Sequence, residues 1–180
     1  MSEPRKYAIA VSFAGEDRGF VLPLVMRLKE ALKDDLVGYD GFLTSDLNGR
    51  DGANRLFPLY AADSDLIVPI FSKDYLTNGW CVEEWEIIVK RMKAEPDANI
   101  VHPVMMWGES PKEWTREDFA VQYHNQSPQL VADCILSIYR KQLGEKARLR
   151  DEAELLDDIE VHCSAYRLCC IINLPLVTQM

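Results

Sequence analysis

Apolar residues in this chain fall into two alternating kinds of run. "YAIAVSF" (7–13) is almost wholly apolar and short, as expected of a strand covered on both faces. "DLIVPIFS" (65–72) and "NIVHPVMMW" (99–107) are further strand candidates. Pro69 and Pro103 cannot donate to a ladder, which places each near the carboxyl end of its strand. After the first strand the period changes: Phe20, Val21, Leu24, Val25, Leu28, Ala31 and Leu32 share one helical face, with Pro23 tolerable near the first turn. Helices are expected at about 50–62, 79–94 and 128–143, the last opened by Ser127-Pro128 as cap and first-turn pair. "GYDGFLTSDLNGRDG" (38–52) holds a short apolar core, Phe42 and Leu43, and then a loop rich in glycine, asparagine and aspartate. Strand and helix in alternation predict a parallel sheet covered by helices, with ligands at the carboxyl ends of its strands.

Residues 108–127 have no clean period and read as a loop or short helical pieces. The charge-rich stretch after Gly144 suggests one more helix, and the final fifteen or so residues are apolar. The expected organisation is one domain over 1–144 and a C-terminal extension, helical then apolar, over 145–180.

Charge and composition remove several functions. With 29 acidic against 20 basic residues the net charge is −9, so nothing resembles a nucleic-acid or anionic-lipid footprint. The N-terminus lacks the order of a secretory signal and no apolar stretch is long enough to span a membrane, so the expected location is cytoplasmic. Five cysteines without framework spacing fit reduced thiols. "AGEDRG" after the first strand has neither a dinucleotide fingerprint nor a Walker lysine, and no G-x-S-x-G elbow occurs. His162, Cys163, Cys169 and Cys170 have poor chelating geometry, so no metal is expected; His102 reads as a core histidine.

"NGWCVEEW" (78–85) carries the most suggestive chemistry. Acids at the start of a helix can simply complement its dipole. A carboxylate beside an aromatic at a strand-to-helix loop can also stabilise a cationic transition state. At ~100° per residue, Cys81, Val82, Trp85, Ile88, Val89 and Met92 share the face expected to lie on the sheet. Glu83 points nearly opposite and Glu86 lies at the far edge, both toward water. Glu84 falls at the edge shared with Trp80, four residues earlier, and is the candidate acid.

"YAIAVSFAGED", "FLTSDLNGRDG" and "SDLIVPIFSKDYLTNGWCVEEW", in this order, resemble the three signature boxes of the TIR (Toll/interleukin-1 receptor/resistance protein) domain, over about residues 6–143. The third box is the most specific: Ser72, Tyr75, Trp80-Cys81 and Glu84 follow the bacterial and plant pattern. The resemblance implies a flavodoxin-like three-layer fold with a five-stranded parallel sheet. For many prokaryotic and plant members it implies cleavage of NAD+ between nicotinamide and ribose, with NAD+ as substrate and no cofactor. By the same resemblance Glu84 is catalytic, and Trp80, Phe13, Ser12, Asp17 and Asp46 contribute to substrate binding. The resemblance also implies that the loop from Thr44 to Arg50 gates entry and that self-association through TIR surfaces completes the site. Animal members act as self-associating scaffolds, which is the second reading. A nucleoside deoxyribosyltransferase-like enzyme, with a layered fold and a catalytic acid, is a third.

Overall fold

The computed structural model describes residues 5–33, 36–39, 56–96, 98–106, 110–115, 120–122 and 126–143. The expected Phe42-Leu43 core, the Thr44–Arg50 loop with Asp46, and the extension over 145–180 lie outside them.

Five parallel strands form one sheet: β1 (Tyr7–Ser12), β2 (Val37–Tyr39), β3 (Ser64–Phe71), β4 (Val104–Met105) and β5 (Val121–Gln122), in the order β2-β1-β3-β4-β5. This is the flavodoxin-like α/β fold. Ile9 of β1 aligns with Val37 on one side and Leu66 on the other. Among the described residues three α-helices, α1 (Arg18–Ala31), α2 (Gly79–Ala94) and α3 (Pro128–Leu143), accompany the sheet. α2 and α3 have the bounds that periodicity predicts, and Ser127 Oγ caps α3 by accepting from the amide of Leu130 at 3.2 Å.

Two apolar layers flank the sheet. On one side Ile9, Val11 and Phe13 pack with Leu24 and Leu28 of α1 and Val131 and Ile135 of α3. On the other, Ala10, Ile67 and Phe71 pack with Cys81, Trp85 and Ile88 of α2 and with Tyr60. Both faces being covered is what makes the strands read as continuous apolar runs.

Four sequence expectations need correction. Pro23 lies in the second turn of α1, not the first; the carbonyl its missing N–H would have met belongs to Gly19, an exposed residue that water can serve. Pro103 precedes β4 instead of ending it: residues 99–107 are not one strand but a bridge at Val101 to Ile67, a break at His102-Pro103, and then the β4 pair. Pro69 lies near the carboxyl end of β3, as expected, and faces this interruption. The amide of Ile67 bonds to Ile100 O at 2.7 Å, so residue 69 would aim its N–H the same way, and it has none. β5 arises inside the segment read as loop, because two residues carry too little periodicity to be noticed. Finally, Val82 is exposed while Arg91 is buried on the face of α2 toward the sheet. The expected helix at 50–62 is seen from residue 56, as one helical turn running into a π-helical segment, Leu59–Asp63.

Arg91 anchors the carboxyl end of α2. Its guanidinium donates to Ser64 O at 2.6 Å, to Tyr60 O and Ser64 Oγ at 3.2 and 3.3 Å, and to Glu95 at 3.2 Å, a carboxylate that Arg5 also holds at 2.7 Å. A planar fork with five donors is the side chain suited to so many acceptors. Arg91→Ala removes the guanidinium from Tyr60 O and leaves Ser64 O with its 3.2 Å bond from Arg5, and the expected loss is about 3 kcal/mol of unfolding free energy, read as a lower urea midpoint at unchanged slope. A loss under about 1 kcal/mol would show that the anchor lies elsewhere.

Candidate functional site

The strand order reverses between β1 and β3: from β1 the chain leaves for β2 on one side and returns to β3 on the other. Such a switch point opens a crevice at the carboxyl ends of the two strands. Here these ends are Ser12 and Phe71, and the residues after them form the candidate site.

Alternation along β1 sends neighbouring side chains to opposite faces. Ser12 lies under α2, fully buried, and donates its hydroxyl to Glu84 Oε2 at 2.6 Å. The phenol of Tyr75 is 2.8 Å from the same Ser12 Oγ. Phe13 belongs to the other layer with α1 and α3, and the Arg18 guanidinium sits 5.8 Å from its ring centroid. The sequence places Ser12 and Phe13 together in one pocket; the structure brings Ser12 to Glu84 and packs Phe13 behind the sheet.

Glu84 is 2 % exposed and lies within the buried face of α2, further in than its expected place at the edge. It also belongs to the second turn of α2. The helix starts at Gly79, no acid stands in its first turn, and the cap is Asn78, whose side chain accepts from the amide of Trp80 at 3.0 Å. Dipole compensation therefore does not account for Glu83, Glu84 and Glu86, since the effect fades beyond the first turn. Glu83 and Glu86 are exposed, as expected. Trp80 is half-buried and its ring tilts against Phe57, centroids 5.7 Å apart, which ties the start of α2 to the segment entering the π-helix.

A second contact joins the two loops of the crevice. Ser72, just past β3, donates to Asp17 Oδ2 at 2.5 Å and accepts from the amide of Tyr75 at 3.1 Å. Asp17 precedes α1 without capping it by its side chain, because its carboxylate is directed across to Ser72. Sequence reasoning assigned no site role to Ser72, Tyr75 or Phe57. The available signal was a serine ending an apolar strand with a tyrosine three residues on.

The family profile described as "TIR domain" matches residues 9–135, most of the chain. The chain belongs to the TIR domain family. Among solved structures it is similar to the TIR domain of the Toll-related receptor TRR-2 from the lower metazoan Hydra magnipapillata, with 16 % identity over 86 % of this chain and 98 % of that one, TM-score 0.48. It is also similar to the TIR domains of the activated Roq1 resistosome directly recognizing the pathogen effector XopQ, with 20 % identity over 90 % of this chain and 84 % of that one, TM-score 0.43. No curated protein sequence matches the chain.

Three features define the electrostatics of this TIR domain's crevice. Burial raises the Tyr75 phenol well above its ordinary range, against the Ser12 hydrogen bond, and the Glu84 charge adds to the rise, so Tyr75 is a neutral donor throughout the physiological range. Burial also raises Asp17, opposed by its bond from Ser72 and assisted by Asp74 and Glu16. Among the described residues no group of three or more His, Cys, Asp and Glu is placed to hold a metal ion.

The Asp17 shift has a definite sign. From its ordinary value of 3.8 upward, the folded chain keeps a proton that the unfolded chain has lost, so this group makes stability fall as pH rises through that window. Asp17→Asn removes the effect. Comparing urea midpoints of the two proteins at pH 4 and pH 7, the balance is expected to move in favour of Asn at the higher pH. A balance moving toward wild type would mean that the Ser72 bond outweighs burial.

Proposed function

We propose that this TIR domain is an NAD+ nucleosidase, acting in the cytoplasm, that breaks the bond between nicotinamide and ribose to give nicotinamide and ADP-ribose or its cyclic form. The observation that carries the reading is Glu84: an acid buried under α2 at the switch point, held by Ser12, in the position the third signature box reserves for it.

Cleavage of this bond develops positive charge on the ribose ring, as in glycoside hydrolysis, and a preorganised carboxylate near that charge stabilises it. Nicotinamide leaves as a neutral molecule, so one carboxylate suffices and no strong general acid is required. Trp80, with Phe57 beside it, supplies aromatic surface at the mouth, and Asp17 is placed across the crevice for polar contacts. Phe13 acts here through packing, since its ring lies in the other layer. With Glu84 2 % exposed, the crevice must open for ribose to meet the carboxylate, and self-association through TIR surfaces provides the occasion for opening. Specific activity is therefore expected to climb with protein concentration, and a flat dilution series would count against assembly.

The deciding experiment is nicotinamide release from NAD+ by wild type, Glu84→Gln and Glu83→Gln. Gln keeps size and hydrogen bonding but removes charge, which is expected to cost about 3 kcal/mol, on the order of a hundredfold in rate, at position 84. Exposed Glu83 is expected to tolerate the change. Melting temperatures close to wild type exclude unfolding as the cause. Equal activity of wild type and Glu84→Gln would sink the assignment.

A further inference from the structure

We propose that Tyr75 is the positioning residue of the site: through one serine on each side it sets the orientation of both crevice carboxylates, Glu84 and Asp17, by two hydrogen-bond chains of fixed direction. The inference rests on the reading of Glu84 as the working acid.

The direction follows from counting hydrogens. A serine hydroxyl has a single hydrogen and two acceptor positions. Ser12 gives its hydrogen to Glu84 at 2.6 Å, so the 2.8 Å contact with Tyr75 has the phenol as donor and Ser12 as acceptor. Ser72 likewise gives its hydrogen to Asp17, so it accepts from the Tyr75 amide, which can only donate. One chain runs from the Tyr75 phenol through Ser12 to Glu84. The other runs from the Tyr75 amide through Ser72 to Asp17.

Tyr75 is itself held rigidly. It is 1 % exposed, its ring meets Phe71 nearly edge-on with centroids 5.4 Å apart, and the amides of Thr77 and Asn78 close the turn behind it on Asp74 O at 3.2 and 2.9 Å. A fixed phenol donor keeps the Ser12 rotor turned toward Glu84, and donors in series polarise one another. The titratable groups facing the phenol are Glu84 and Cys81, both on α2, while Asp74 and Glu16 stand near Asp17 at the end of the other chain. Burial keeps the phenol protonated, so between pH 4 and 8 it supplies hydrogen-bond donation without changing charge.

Tyr75→Phe deletes one chain and leaves the ring contact and the amide chain in place. Two readouts test it: the pH profile of nicotinamide release, and the carboxyl carbon titration of Glu84 in glutamate-labelled protein, assigned by its loss in Glu84→Gln. Loss of donation to a carboxylate makes it take up a proton at higher pH. The expected result is an upward move of about half a unit in both the acid limb and the Glu84 titration, with kcat lower by about fivefold and KM within about twofold. Ser72→Ala, which breaks the other chain, is expected to leave the Glu84 titration in place. Should Tyr75→Phe not fold, Ser12→Ala interrupts the same chain in its middle and must move the Glu84 titration upward. A Glu84 titration unmoved by either chain variant overturns the role of Tyr75, even where release depends on Glu84. If the wild type releases no nicotinamide and the titration still moves, the chain stands and the NAD+ reading falls.

Discussion

A carboxylate buried between a helix and a sheet is the constraint around which the carboxyl edge of this domain is built. Removing an ionised group from water costs several kcal/mol even after relaxation, and the cost must be offset by hydrogen bonds at the burial site. Ser12 meets part of this for Glu84, and Ser12 is available because β1 ends with a small polar residue on the α2 face, immediately before a large apolar one on the other. α2 must then stay in register with β1 to a fraction of an ångström. It is fixed at both ends: Asn78 caps its start, and Arg91 fastens its last turn to Ser64 and Tyr60. In between, Trp85 stands at right angles to Phe71, centroids 5.1 Å apart, and its indole N–H reaches Glu113 at 3.2 Å.

What the sequence discloses and what it conceals follow from the range of the forces involved. Helix period over two or more turns is a local property, and α2 and α3 were legible to the residue. β1 and β3 were legible because burial on both faces requires apolar side chains at every position. β5 was not, being two residues long and paired by tertiary contact; β4 falls inside the legible run at 99–107, but after a break at Pro103 that reads in sequence like an ending.

The candidate site divides the same way. Glu84 is singled out in the sequence by the helical phase it shares with Trp80, because both stand on one regular element. Its burial was underestimated because phase reports direction around the helix and not the depth at which the helix sits. Phe13 shows a related limit: a strand alternates sides at each residue, so adjacency of Ser12 and Phe13 in sequence means separation in space. The sequence does not tie Ser72 and Tyr75 to Asp17 and Ser12, because these bonds cross 55 and 63 positions and no local period encodes them.

The division of labour at the start of α2 bears directly on chemistry. Had Glu84 stood at the cap or in the first turn, helix N–H groups and the positive end of the dipole would already neutralise it, and a further positive charge would gain little. Asn78, a neutral side chain, takes the capping duty, and the acid is displaced to the second turn, where the helix's own amides are engaged in its ladder. The Ser12 hydroxyl helps hold Glu84 there, a weaker partner than a guanidinium or a run of amides. On the proposed reading, a carboxylate already held in place responds to a developing cation without reorganising. The same burial that demands the Ser12 bond also excludes water from the acid, which on the proposed reading strengthens that response to a cation brought beside it.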